Sequence, residues 1–218
     1  MANRKKSKKY YFSVEGQTEY WYLLRLKDLI NSTKESAFNV DIDCQVKEPL
    51  KRVKGLLTTS KTEIYHFSDY ESDDDEHVKR FKDTMDQMKD AMNLGKQIVY
   101  KFGYSNFTFD LWIVLHKADC FGPLTHRKDY LSYINRAYGK KFQGMDEYKN
   151  ENNFHQCLKQ LTLDDVKKAV ERSKLIMMNN ETSGKALQKY KGFSYYKENP
   201  SLEVGAVIEK ILKDCKLI

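Results

Sequence analysis

No stretch of the sequence approaches the ~20 consecutive apolar residues that a bilayer-spanning helix needs, so no transmembrane helix is expected. The opening MANRKKSKKYYF is basic but lacks an apolar core of signal-peptide length. Secretion is therefore not expected, and a cytoplasmic location is. The four cysteines, Cys44, Cys120, Cys157 and Cys215, form no CxxC pair. They read as reduced thiols, neither disulfides nor a zinc knuckle. His77, His126 and His155 show no metal-ligand spacing; His66 falls inside a strand and His116 at a helix end, where it can cap carbonyls. There is no GxxxxGK[ST] phosphate loop, which argues against an ATPase. No Ser/His/Asp or Cys/His order and no internal repeat is present.

The chain has 218 residues, 40% hydrophobic and 13% aromatic, enough for one large domain with a real core. The formal net charge is +7. Part of that excess sits in the head, at Arg4, Lys5, Lys6, Lys8 and Lys9. Residues 1–9 read either as a solvated basic arm or as an arm that contacts phosphates.

Strands and helices alternate through the first half. Tyr10, Tyr11, Phe12 and Val14 predict a buried strand that breaks at Gly16. A helix then runs to about Ile30, with Thr18 as its N-cap. Phe38–Val46 alternates apolar and polar residues, as an edge strand does. Pro49 opens a short helix. Glu63–Phe67 predicts a third strand, about 76–93 a helix, Gln97–Phe102 a fourth strand, Gly103–Asn106 a turn and Phe107–His116 an aromatic-rich helix. This predicts βαβ units: an α/β core over 10–116 with a small, mostly parallel four-stranded sheet flanked by helices. Residues 117–218 read as helices covering that core, near 129–138, 153–161, 163–178 and 201–217.

Two of these strands end in carboxylates. The first delivers Glu15, with Glu19 in the first turn of the helix behind it. The third runs into Ser68–Glu76, the densest acidic cluster, where Asp69 and Glu71 are two residues apart and point the same way in extended backbone. Ligands of open α/β sheets bind beyond the carboxyl strand ends. Three carboxylates at that end suggest a Mg²⁺ or Mn²⁺ site for phosphoryl chemistry. The plain alternative is a solvated turn, or charges at a helix N-terminus; Asp73, Asp74, Asp75 and Glu76 suit the latter.

Val14-Glu15-Gly16-Gln17-Thr18-Glu19 resembles the first Toprim motif in the EGxTE form of overcoming-lysogenization-defect nucleases, and Asp69-Tyr70-Glu71 resembles the DxD motif. Tyr104–His116, YSNFTFDLWIVLH, is similar to the SNPCFELWLLLH signature of RloB-like proteins. Tyr148-Lys149 and Asn199-Pro200-Ser201 also sit where that family has such elements, so the resemblance covers nearly the whole chain. It implies a Toprim-like fold and a role in prokaryotic phage defence, often beside restriction or ATPase genes. It also implies that Glu15 does proton-transfer or metal-facing work, that Asp69 and Glu71 hold Mg²⁺, and that Glu19 is a further candidate ligand. Asp73, in the acidic cluster, is a candidate metal ligand as well. Three departures stand out. Glu71 replaces the usual Asp and carries its carboxylate one methylene further. Phe107 and Thr108 replace Pro and Cys. Asp110 replaces Glu and keeps the charge, as a site candidate or as a helix N-terminal acid. Ser105 and Asn106 are site candidates or N-caps.

These readings lead to a Mg²⁺-dependent nuclease of abortive infection, catalytic through Glu15, Asp69 and Glu71. Lys5, Lys6, Lys8, Lys9, Lys101 and Lys117 are expected to receive phosphates. An ATPase or another defence protein is the expected partner. The alternative is a non-catalytic module that binds nucleic acid or a partner. Nucleotidyl transfer is a weaker third reading.

Overall fold

The computed structural model describes residues 5–218; Arg4 lies outside them. Its core is a five-stranded sheet in the order β2-β1-β3-β4-β7. The strands are β1 (Ser7–Val14), β2 (Asn39–Val46), β3 (Thr62–Tyr70), β4 (Ile98–Asn106) and β7 (Ser201–Leu202). The first four are parallel and β7 is antiparallel to β4. The expected four-stranded, mostly parallel sheet is therefore a mixed sheet of five. β7 escapes a sequence reading because it is two residues long and shows no alternation.

The helices α1 (Gln17–Ser32), α2 (Pro49–Lys54) and α3 (Asp75–Met92) make the crossovers. β1 leads through α1 to β2 on one side, and the chain then returns past β1 to place β3 on the other. The two helices pack on opposite faces. Tyr22, Leu23 and Leu26 of α1 join Phe12, Val14 and Phe67 in one core cluster; Phe81, Met85 and Met88 of α3 join Ile64, Tyr70 and Tyr104 in the other. The order therefore reverses between β1 and β3, and a crevice opens there at the carboxyl strand ends.

The second half closes the first face with α4 (Asp110–Leu115), α5 (Tyr130–Tyr138), α6 (Met145–Lys149), α7 (Glu151–Lys159), α8 (Leu163–Thr182) and α9 (Val204–Asp214). Trp112 and Tyr148 are fully buried in it. A hairpin of β5 (Gln188–Tyr190) and β6 (Phe193–Tyr195) covers the other face through Phe193 and Tyr195. Tyr195 and Tyr196 are thus core residues.

Several local boundaries differ from expectation. The cap of α1 is Gly16, with Thr18 inside the helix, and β3 runs on to Tyr70. β1 reaches back into the basic head, so Lys8 and Lys9 are strand residues. The expected turn at 103–106 is the end of β4, where Tyr104, Ser105 and Asn106 are buried and pair with Ser68, Asp69 and Tyr70. Burial on both faces removes the period-two signal there, and the following helix starts only at Asp110.

Candidate functional site

Glu15 leaves the end of β1, where its N–H donates to the Phe67 carbonyl at 3.2 Å. Its Oε2 accepts from Ser68 Oγ at 2.9 Å and from the Asp69 backbone N–H at 3.2 Å. One turn later Glu19 is buried in α1, with Thr18 Oγ1 donating to its Oε2 at 3.0 Å. A Cβ on Gly16 would meet that same oxygen at 2.9 Å, so glycine gives the carboxylate room. Asp69 is half-buried at the end of β3, in register with Ser105.

These carboxylates perturb one another. Burial pushes Glu19 up to about 7, and the Glu15 charge adds to this, while Lys149 and Thr18 oppose it. Burial holds Asp69 well above the ordinary carboxylate range, and Glu19 and Glu15 push it the same way. Lys149, from α6, answers this negative field. Burial pulls its ammonium down, but Asp110, Asp69 and Glu19 outweigh that and keep it above its usual value.

Asp110 is fully buried at the start of α4. Its Oδ2 lies 3.1 Å from Lys149 Nζ and accepts from Thr108 Oγ1 at 2.9 Å. Among the described residues its Oδ1 has no hydrogen-bond partner, nor do Ser105 Oγ and Asn106 Oδ1. Buried polar atoms without partners are uncommon and mark places where a water, ion or ligand belongs. Asn106 is otherwise a clamp: its Nδ2 donates to the Lys197 carbonyl at 2.6 Å, and its own carbonyl accepts from Asn199 Nδ2 at 2.6 Å.

Other expected residues point elsewhere. Glu71 accepts from Arg127 at 2.7 Å and lies 3.0 Å from His77 Nε2. Asp73 accepts from the Tyr70 hydroxyl at 2.6 Å. Asp74 caps α3, and Asp75 and Glu76 fill its first turn. Among the lysines, Lys117 is tied to Asp165 at 2.6 Å and Lys5 to the Thr33 carbonyl at 2.9 Å. The Lys6 carbonyl accepts from Asn39 N–H at 2.9 Å. Lys8 and Lys9 lie near the amino end of β1, about 20 Å from Glu15 at ~3.3 Å per strand residue. Lys101 is exposed on β4.

Among the described residues, no three His, Cys, Asp or Glu side chains form a ready-made metal-ligand set. The donor chemistry of Glu15, Glu19 and Asp69 nevertheless suits a hard cation. All are oxygen ligands, and their mutual repulsion raises the proton affinity of Glu19 and Asp69. Glu71 and Asp73 fit less well, because cations and a tyrosine already hold them. Beside Glu15 a crevice of about 660 Å³ runs between α2 and α3, rimmed by Lys47, Lys51 and Arg80 and floored by Val14, Pro49 and His66.

The model of the RloB-like protein family matches residues 10–211. The chain belongs to the RloB-like family. No curated protein and no solved structure matches it. The matched span takes in every carboxylate of the crevice and reaches α9. In this RloB-like protein, sequence reasoning gave no role to Lys149 or Thr108. Lys149 lies 80 positions beyond Asp69, and no spacing rule links them; the ion pair of Lys149 on α6 with Asp110 on α4 brings it to the site.

Proposed function

We propose that this RloB-like protein is a Mg²⁺- or Mn²⁺-dependent, Toprim-type nuclease that hydrolyses nucleic-acid phosphodiesters in prokaryotic phage defence. The observation that carries this reading is the convergence of Glu15, Glu19 and Asp69 at the reversal point of the sheet, with Lys149 among them. Asp69 and Glu19 would hold the metal, with Glu15 facing it. A bound Mg²⁺ supplies Lewis acidity and a more acidic water. Glu15, fixed by Ser68 and the Asp69 N–H, is placed to accept a proton. Lys149, anchored by Asp110, balances charge at a phosphate. Lys47, Lys51 and Arg80 draw an anionic strand into the crevice. Cytoplasmic action beside an ATPase partner, leading to abortive infection, belongs to the same proposal. Among the described residues no helix is long and apolar enough to cross a membrane.

Calorimetric titration with Mn²⁺ tests the metal half. Affinity rises as pH passes about 7, because Glu19 must shed its proton. Asp69→Asn lowers affinity by about tenfold or more. Equal affinity in wild type and variant would remove the assignment.

A second reading, a non-catalytic binding module, draws on the lack of a ready-made ligand set and on the capture of Glu71 by Arg127 and His77. Salt-sensitive binding of nucleic acid by metal-stripped protein, with no cleavage under either metal, would favour it.

A further inference from the structure

None of the lysines offered by the sequence for phosphate contacts lines the crevice, yet some of them line one groove. Its first part, about 400 Å³, is lined by Lys8, Lys9, Tyr11, Lys61 and Lys210 among others. Its second, about 220 Å³, includes Lys101 and Phe102 on the flank of α9. Tyr65 and Lys210 line both parts and make them continuous. The sheet explains the opening. β1 pairs with β3 only from Tyr11↔Ile64 onward, so Ser7–Tyr10 lacks a β3 partner.

Charge in the groove is unbalanced. Its acids are Glu63, Asp214 and Glu203. Glu63 accepts from the Tyr65 hydroxyl at 3.0 Å, and Asp214 is taken by Lys210 at 2.7 Å. Lys9 lies 3.6 Å from Asp43. Lys8 donates to a backbone carbonyl, that of Asp214, at 2.9 Å. Lys61 and Lys101 are exposed and form no ion pair among the described residues. Tyr11 is half-buried, and Lys9 Nζ lies 4.9 Å from its ring centre; the Phe102 ring turns to the opposite face of the sheet, against Phe81 and Phe193.

We propose that this groove binds the backbone of a single-stranded nucleic acid, as a second site separate from the carboxylate crevice. Cations along a groove with an aromatic ring among them are chemistry that holds unpaired strands. The first part, about 400 Å³, is the size of a small-ligand pocket and has room for an unstacked nucleotide. From Thr62, in the first part, to Asp69 the strand rises about 23 Å at ~3.3 Å per residue; the second part opens beside α9, on the opposite face of the sheet from α3, which walls the crevice, so the two sites are distinct. Binding here requires no cleavage and stands whether or not the crevice is catalytic.

The test is fluorescence anisotropy of the full chain in EDTA with labelled oligouridine RNA and oligothymidine DNA of about a dozen nucleotides. Lys61→Glu with Lys101→Glu is expected to weaken binding of both probes by about tenfold or more. It should also lower the salt slope by roughly 1.4, two phosphate contacts at ~0.7 each. Lys168→Glu, on exposed α8 surface, should change binding by less than about twofold, in line with a distant surface charge. Melting temperatures show that the variants fold, and Lys61→Gln with Lys101→Gln replaces a reversal that does not. Unchanged binding in the double reversal overturns the proposal. So does an equal loss in Lys168→Glu, which means bulk charge alone. A duplex of the same length binding as tightly overturns the single-strand assignment. Loss confined to Lys47→Glu with Lys51→Glu assigns the strand to the crevice instead.

Discussion

At the scale of single residues, the molecule buries several polar groups and satisfies most of them. Arg52 is almost fully buried; its Nε donates to the Phe12 carbonyl at 3.2 Å and its Nη2 to Asp43 Oδ1 at 2.7 Å. Removing one partner of such a pair strands the other, so Arg52→Ala is expected to cost about 3 kcal/mol in urea unfolding. His116 is buried between helices. The Trp112 carbonyl, which can only accept, takes Nδ1–H at 2.8 Å, and Nε2 accepts from the Tyr22 hydroxyl at 3.2 Å. Burial pushes its imidazole down to about 4, against the pull of the Trp112 carbonyl. The sign follows from the neutral form being favoured in the fold. The contribution of His116 is fully present above its ordinary 6.5 and is lost as pH falls through about 4. An NMR titration should give a His116 midpoint near 4; a midpoint near 6.5 would contradict the buried, neutral ring. His116 was legible as a helix-end residue, but its Tyr22 partner lies 94 positions away and no local rule could supply it.

Among elements, the contact of α8 with α9 is the tightest constraint. A Cβ on Gly205 would sit 1.9 Å from Ser173 Oγ and 2.6 Å from Ser173 Cβ. Gly205→Ala is therefore expected to destabilise by about 1–3 kcal/mol, the range of overpacked cores, with Ser173→Gly restoring part of the loss. An unchanged melting temperature would mean that the helices sit further apart. Helices of the first half were readable because each has one dry face, and β1 and β3 because they are short runs rich in aromatic and β-branched residues. The alternation in Asn39–Val46 marks an edge strand, and the sheet order places it there. The end of β4 was misread as a turn because Tyr104, Ser105 and Asn106 are all buried and show no period. β5, β6 and β7, three residues or fewer each, gave no pattern to read.

The whole molecule has two ends with different chemistry. Carboxylates and Lys149 gather at the carboxyl end of the sheet, while a lysine-lined groove runs beside β1, β3 and α9, with Lys61 and Lys101 outside any ion pair among the described residues. Glu15, Glu19 and Asp69 were legible because strand ends and glycine punctuation are local signals. The diversion of Glu71 to Arg127 was not, because that arginine comes from a distant loop. The decisive measurement is cleavage of a panel of single- and double-stranded DNA and RNA with Mg²⁺ or Mn²⁺, by wild type beside Glu15→Ala and Asp69→Ala. The expected result is cleavage by wild type, reduced about a hundredfold or more in both variants, with melting temperatures retained. Cleavage that survives in folded Asp69→Ala would contradict the catalytic assignment of the crevice.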